Sequence, residues 1–263
     1  MAPEANAVSL ANKQRGPAAV AGIRTQVSRV SIVIPTYNEE RTVAALIRRV
    51  QQAPLDGLEK EIIVVDDGSA DRTVEQLRQF GDQIRLIRHT RNRGKGAAVR
   101  TGFDAATGQV LLIQDADLEY DPNDFPAVVA PLVEGRADAV LGSRFILERP
   151  RFFLRQDGSP FFSHYIGNKL IIWLTNWLYG VRATDYEGCY KAFTAEAIRA
   201  TPVQADGFEF DNELVCKLLR RRARIVEVPI RYHPRVYGDG KKIRWQHGVR
   251  MLWTILKWRI WPL

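Results

Sequence analysis

Asp115 and Asp117 stand two residues apart, directly after the apolar run Val110-Leu-Leu-Ile113 and Gln114. Carboxylates at i and i+2 on an extended chain project the same way. Their hard oxygens suit a divalent cation, which can in turn hold a diphosphate. Aspartate also favours turns for its own sake, and Asp121-Pro122 closes a turn shortly after, so the pair alone leaves a loop-capping role open. What raises the metal reading is its setting. A short continuous apolar run reads as a strand buried on both faces of a parallel sheet, and ligands of open α/β sheets bind beyond the carboxyl ends of such strands.

Other chemistry-bearing stretches also follow strand-like runs. Val30-Ser-Ile-Val-Ile-Pro35 leads into Thr36-Tyr-Asn-Glu39, where Thr36 and Glu39 have capping-box spacing, so Glu39 reads equally as a cap or as a ligand contact. Glu61-Ile-Ile-Val-Val-Asp66 ends in Asp66-Asp-Gly-Ser69, whose carboxylates suit a base or ribose, or else a turn capping the next helix. Ile84–Ile87 precedes Asn92-Arg-Gly-Lys-Gly96, which lacks the full phosphate-loop pattern and fits either a phosphate at a helix N-terminus or a plain tight turn. Ala139-Val-Leu-Gly-Ser143 is a fifth strand. Helical spacing over Arg41–Gln52, Arg72–Phe80, Gly96–Phe103 and Phe125–Val133 alternates with these strands, predicting βαβ units and a mostly parallel sheet.

Past Ser143 the rhythm changes. A basic, aromatic loop spans Arg149–Pro160, and a long helix spans His164–Tyr179 with an apolar stripe that fits core or lipid. A turn and short strand cover Asp185–Phe193, a helix covers Asn212–Arg222, a strand covers Arg224–Tyr232, and a final helix covers Trp245–Trp258. All six tryptophans (Trp173, Trp177, Trp245, Trp253, Trp258 and Trp261) fall in this last part. Tryptophan favours wet or lipidic interfaces, which sets the C-terminal third apart.

With 263 residues, 46% hydrophobic, the chain can bury one sizeable α/β core or two small ones. Two cysteines, Cys189 and Cys216, give neither a disulfide framework nor a metal spacing, which fits a reducing compartment. The net charge of +8 points to an anionic partner. A nucleic-acid module is disfavoured, since it would want its basic residues on one face without an Asp-x-Asp at a strand end. No run is long and apolar enough for a transmembrane helix. The start, Met1-Ala-Pro-Glu-Ala-Asn6, lacks signal-peptide regions, and residues 1–28, rich in Ala, Gly and Pro, read as a flexible tail.

Taken together, Ile34-Pro-Thr-Tyr-Asn-Glu39, Val64-Val-Asp-Asp-Gly-Ser69, Asn92-Arg-Gly-Lys-Gly-Ala97, Gln114-Asp-Ala-Asp117 and Gly142-Ser-Arg144 resemble the family 2 glycosyltransferases of GT-A fold. The likeness is closest to the dolichyl- or polyprenyl-phosphate mannosyltransferase branch. Tyr232-His-Pro-Arg-Val-Tyr-Gly-Asp-Gly-Lys-Lys-Ile243 resembles that branch's acceptor loop, and His164–Asn168 and Thr184–Lys191 resemble further blocks of it. The likeness runs over about residues 29 to 258. It implies a Rossmann-like α/β catalytic domain over 29–236, then an acceptor loop and an amphipathic interface helix over 237–263.

Carried residue by residue, the resemblance implies that Pro35, Tyr37, Glu39, Val64 and Asp66 line a nucleoside pocket. Asp115, Ala116 and Asp117 would meet ribose, metal and diphosphate. The implied cofactor is Mg²⁺ or Mn²⁺, held by Asp115 and Asp117, with Glu119 standing where the branch often has Gln and so altering the ligand set. Arg144 would lie near sugar and diphosphate, Arg235 and Lys241 on phosphates. The implied reaction is an inverting transfer of a hexose from a nucleoside-diphosphate sugar (GDP-mannose before UDP-glucose) to a polyprenyl phosphate. Asp185 is the candidate base if the acceptor is instead a hydroxyl of a soluble or polysaccharide molecule. A non-catalytic nucleotide-sugar binder is the reading from another class. Since the chain stops at Leu263, the membrane contact implied is peripheral, on an anionic cytoplasmic face. Met251, Leu252, Ile255, Leu256 and Trp258 are expected to meet lipid, flanked by Arg250, Lys257 and Arg259. Oligomeric state is left open.

Overall fold

The computed structural model describes residues 8–10, 26–146, 162–233 and 245–263. Its strands are β1 (Val8–Ser9), β2 (Arg29–Thr36), β3 (Glu59–Asp66), β4 (Arg85–Arg88), β5 (Val110–Ile113), β6 (Ala139–Ser143), β7 (Lys191–Thr194) and β8 (Ile225–Pro229). Its helices are α1 (Val43–Gln52), α2 (Thr73–Arg78), α3 (Lys95–Ala105), α4 (Phe125–Val133), α5 (Phe162–Tyr179), α6 (Ala195–Arg199), α7 (Phe210–Arg220) and α8 (Trp245–Ile260). The strands form one sheet in the order β1-β8-β6-β7-β5-β2-β3-β4. The pairs β2–β3, β2–β5, β3–β4 and β6–β8 are parallel, whereas β7 runs antiparallel between β5 and β6. The fold is α/β with a mostly parallel mixed sheet flanked by helices, as the alternating pattern requires.

The central strands carry apolar side chains on both faces because both are covered. Val30, Ile32, Val33 and Ile34 of β2 and all four residues of β5 are buried. On α1 the expected stripe Val43, Leu46, Ile47 and Val50 is buried, each such side chain contributing about 1.5–3 kcal/mol of transfer free energy. The chain visits β2, β3 and β4 outward on one side, then returns to place β5 on the other side of β2. Neighbouring strands thus leave in opposite directions between β2 and β5, which opens a crevice at their carboxyl ends.

Three expectations are corrected. The capping box does not form: α1 begins at Val43 with Thr42 at its N-cap, the Thr36 hydroxyl donates to the Ile34 carbonyl, and the Thr42 hydroxyl donates to Glu39. Part of the expected tail is structured. Val8 and Ser9 pair antiparallel with β8 and Leu10 is buried, so this segment covers the sheet edge that β8 would otherwise expose. The third correction concerns α8. Met251, Ile255 and Trp258 form a buried cluster with Ile171 of α5 and Cys216 of α7. The apolar stripe assigned to lipid is largely a helix–helix interface.

Candidate active site

The carboxyl ends of β2, β3, β5 and β6 bring Pro35, Tyr37, Asp66, Asp115, Asp117 and Arg144 to one edge of the sheet, around the crevice between β2 and β5. Pro35, Tyr37 and Glu39 are half-buried there. Val64 is placed otherwise: it sits mid-strand opposite Ile34, wholly inside the core, and turns no side chain to the crevice. Ala116 is likewise buried.

Asp66 and its neighbour divide their work. The Asp66 carboxylate is fully enclosed, accepts the Ser69 N–H and lies 3.3 Å from Arg88 Nε at the end of β4. Asp67 is the turn-former. It accepts the N–H groups of Arg93 and Gly94 at 2.9 and 2.8 Å, and a ring nitrogen of buried His89 lies 2.7 Å away. Asp67 therefore occupies the Arg93 and Gly94 N–H groups of the Asn92–Gly96 segment and closes it as a tight turn ahead of α3. Gly94 sits at φ +103°, and a Cβ there would collide with the Asp206 carbonyl, so the turn needs glycine. What the turn delivers is the side chain of Lys95 at the start of α3. Its Nζ lies 2.8 Å from Asp115 Oδ1.

Beyond β5 the chain is fixed from below. Buried Gln114 accepts the Tyr190 hydroxyl at 2.7 Å, and the Asp115 N–H meets the Cys189 sulfur at 3.0 Å. Burial would raise the Asp115 pKa, but Lys95 overrides it and holds the carboxylate below its ordinary range. Reciprocally, burial would lower Lys95, and Asp115 more than compensates, keeping the ammonium charged. Asp117 is half-exposed and accepts the Glu119 N–H. At Leu118 the backbone turns through φ +63°. Glu119 is thereby brought to the Tyr232 hydroxyl, 3.0 Å from its carboxylate, while its carbonyl accepts the His233 N–H. The expected trio of Asp115, Asp117 and Glu119 does not converge: among the described residues no three His, Cys, Asp or Glu side chains gather as a metal cage. Asp117 with Asp115 beside it still fits Mg²⁺ or Mn²⁺, since such ions take one or two carboxylates and complete their shell with diphosphate and water.

Arg144 follows β6 and is held on all sides. Its guanidinium makes two bonds to Asp185, at 2.6 and 2.8 Å, and lies 5.2 and 5.3 Å from the ring centres of Tyr232 and Phe145. Burial would raise the Asp185 pKa, but Arg144 and the backbone N–H groups of Arg144 and Glu187 bring it below the usual carboxylate range. A fully buried, ion-paired carboxylate is a poor proton acceptor, so the geometry makes Asp185 an anchor for Arg144. Arg235 and Lys241 lie outside the described residues; Tyr232 and His233, immediately before them, dock on Glu119. The pairings of Lys95, Arg88 and Tyr232 were not legible beforehand, because each joins segments far apart in sequence.

Residues 31–192 match the glycosyl transferase family 2 profile. The chain belongs to that family, and its fold is GT-A. It is 30% identical over 236 residues to a dolichol-phosphate mannosyltransferase of Pyrococcus furiosus, covering 88% of this chain and 64% of the relative. It is also 30% identical to a dodecaprenyl-phosphate galacturonate synthase of Rhizobium johnstonii, covering 82% and 62%. The chain thus spans under two thirds of the length of these relatives. A glucosyl-3-phosphoglycerate synthase from Mycobacterium tuberculosis, solved with Mn²⁺, UDP and phosphoglyceric acid, superposes with a TM-score of 0.68 at 20% identity, covering 90% of this chain and 80% of that one. The same enzyme with Mg²⁺ and UDP gives a TM-score of 0.66.

Proposed function

We propose that the chain transfers a hexose from a nucleoside-diphosphate sugar to a polyprenyl phosphate with inversion at the anomeric carbon. The observation that carries this reading is the strand-end group Asp115, Asp117, Lys95 and Arg144 around the β2–β5 crevice. Carboxylates for a cation and two fixed cations for phosphate are what a diphosphate leaving group needs. Its relatives' names, dolichol-phosphate mannosyltransferase and dodecaprenyl-phosphate galacturonate synthase, support the lipid-phosphate acceptor.

Asp117, with Asp115, would hold Mg²⁺ or Mn²⁺, which when bound offsets the charge of the leaving diphosphate. Arg144 is held rigid by Asp185, Tyr232 and Phe145, so it can meet developing negative charge without reorganising. An acceptor phosphate oxygen attacks the anomeric carbon while the bond from that carbon to the diphosphate breaks, and the displaced diphosphate departs with the electron pair. An alkyl phosphate is already ionised near neutrality, its second pKa being about 6, so the step requires no base. This agrees with an Asp185 locked against Arg144 and disfavours the hydroxyl-acceptor alternative. The test is incubation with GDP-mannose or UDP-glucose, Mn²⁺ and a polyprenyl phosphate. A sugar extracting into organic solvent is the expected outcome; transfer only to water-soluble acceptors refutes the reading.

We also propose that the chain reaches its acceptor through a lipid-facing surface on α5 and α8. With Met251, Ile255 and Trp258 buried, the exposed apolar residues are Ile166, Leu170, Trp173 and Trp177 on α5 and Val249, Trp253, Leu256 and Ile260 on α8. Both sets follow the same spacing, i, i+4, i+7, i+11, one stripe per helix. Trp173, Trp177 and Trp253 are 60%, 68% and 65% exposed. Exposed Lys169, Arg250 and Arg259 accompany them, which suits anionic headgroups. No helix among the described residues is long and apolar enough to cross a membrane. Co-sedimentation with vesicles containing anionic lipid is expected, and its loss in Trp173→Glu/Trp253→Glu at unchanged melting temperature. Indifference of the parent to such vesicles refutes the surface; dimerisation abolished by the same pair would assign it to a second copy.

A further inference from the structure

Asp185, which holds Arg144, stands in residues 182–190, a stretch that belongs to no helix or strand. No ladder of backbone hydrogen bonds fixes it, so its N–H groups must find partners elsewhere. Two side chains from separate elements supply them. Glu227 of β8 is buried and stands opposite Leu141 of β6. One of its carboxylate oxygens accepts the Thr184 N–H at 2.8 Å and the Asp185 N–H at 3.0 Å. The Thr184 hydroxyl lies 3.2 Å from both oxygens of Glu227 and 2.6 Å from the Ser143 hydroxyl, which also accepts the Phe145 N–H. The residues directly before Arg144 and directly before Asp185 are thus joined to each other and to Glu227.

Asn176 of α5 grips the same stretch. Its amide donates to the Ala183 carbonyl at 2.9 Å and accepts the Ala183 N–H at 3.0 Å, and it also accepts the hydroxyl of buried Tyr186 at 2.7 Å. Asp185 lies between the two residues so held. An apolar residue at position 227 would pack in the sheet without desolvating a carboxylate, but it would leave two N–H groups at Asp185 and its neighbour unmatched. Because Arg144 makes two side-chain bonds to Asp185, a displacement of this stretch is passed to the guanidinium.

We propose that Glu227 and Asn176 are positioning residues for Arg144, acting through Thr184, Asp185 and Tyr186 rather than on substrate. The catalytic consequence rests on the transfer reading above; the placing of Arg144 does not.

NMR observation of the Arg144 Nε–H tests it, the signal being assigned by its loss in Arg144→Lys. In the parent this proton is expected to exchange slowly with solvent, since Nε donates to enclosed Asp185 at 2.6 Å. Glu227→Ala and Asn176→Ala are each expected to speed its exchange about tenfold. Glu227→Gln keeps an acceptor oxygen for the Thr184 and Asp185 N–H groups and is expected to restore most of the protection. Turnover is read alongside, with kcat expected to be about tenfold lower in both alanine variants and the Kd for nucleoside diphosphate with Mn²⁺ unchanged. A parent without a slowly exchanging Arg144 Nε–H, or a folded alanine variant whose signal matches the parent's, overturns the proposal. A fall in nucleotide affinity matching the fall in kcat marks a general loosening and overturns it too. If Glu227→Ala does not fold, Asn176→Ala, at a half-buried helix position, carries the comparison. A parent that transfers no sugar refutes the function proposed above, while the Arg144 signal still decides this inference.

Discussion

Replacing Asp185 by alanine separates an anchor from a base. The Arg144 side chain is 9% exposed and that of Asp185 is wholly enclosed. The carboxylate also accepts the backbone N–H groups of Arg144 and Glu187. Its loss strands a buried guanidinium, and breaking a buried pair from one side costs about 3–5 kcal/mol. For a chain of this size that corresponds to a fall in melting temperature of about 6–20 °C. Removing both charges tells a different story. Arg144→Met/Asp185→Leu should recover most of the lost stability, because buried pairs replaced by apolar groups are commonly neutral. The pH dependence has a defined sign. Asp185 has a depressed folded pKa, so its contribution is present above the unfolded value of about 3.9 and is lost only as pH falls below it. The assay is urea unfolding at pH 7 and pH 3, with donor binding followed in parallel. A single variant costing under about 1 kcal/mol, or a double variant no better than the single, would refute the anchoring argument.

Burial lifts Glu227 to about 7, although its carboxylate accepts from Thr184 and Asp185. With the folded pKa above the unfolded value of about 4.3, its contribution is complete below that value and is lost as pH rises towards 7. Glu227→Gln should therefore flatten the stability profile across that window, and an unchanged profile would count against it. Gly94→Ala should lower stability by about 1–3 kcal/mol and weaken donor binding together, since it strains the turn that presents Lys95; intact binding at reduced stability would separate the two. Asp117→Ala and chelation of the parent should each abolish both turnover and the melting-temperature rise given by nucleoside diphosphate with Mn²⁺. Full activity in EDTA would rule out the metal.

Much of this fold could be read directly because local and global signals agree. The continuous apolar runs of β2, β3 and β5 exist only because both faces of a parallel sheet are covered, and helical spacing placed α1 and α4 within two residues. The antiparallel β7 was harder, since four residues carry no direction; only its pairing with Ile113 and Leu141 shows it. At the site, motif spacing located Asp115, Asp117 and Arg144 but not their partners. Nothing near Asp115 in sequence announces Lys95, and nothing near Glu119 announces Tyr232. Glu119 was placed at the metal by its position in the family pattern, which carries no sign of the left-handed turn at Leu118 or of the Tyr232 hydroxyl that its carboxylate accepts. Likewise Thr36 and Glu39 had the right spacing for a cap, yet the strand runs through Thr36 and the helix starts only at Val43.

The C-terminal helix shows where periodicity stops deciding. Residues 245–260 carry two apolar stripes, one through Met251, Ile255 and Trp258, the other through Val249, Trp253, Leu256 and Ile260. A helix with apolar residues on more than one side can pack by either, and the amphipathic pattern alone does not rank them. The choice is made by α5 and α7, which present Ile171 and Cys216 to the first stripe and leave the second outward. Lys217 confirms the direction of packing, its Nζ lying 3.7 Å from the centre of the Trp258 ring, so that tryptophan is held inside by a buried cation. The matching outward stripe on α5, including the stacked pair Trp173 and Trp177, then gives both helices the same exposed spacing. An exposed apolar face repeated on two packed helices is costly to leave in water. The polyprenyl phosphate proposed as acceptor would reside where such a face is covered, so the proposed surface and the proposed acceptor call for the same environment.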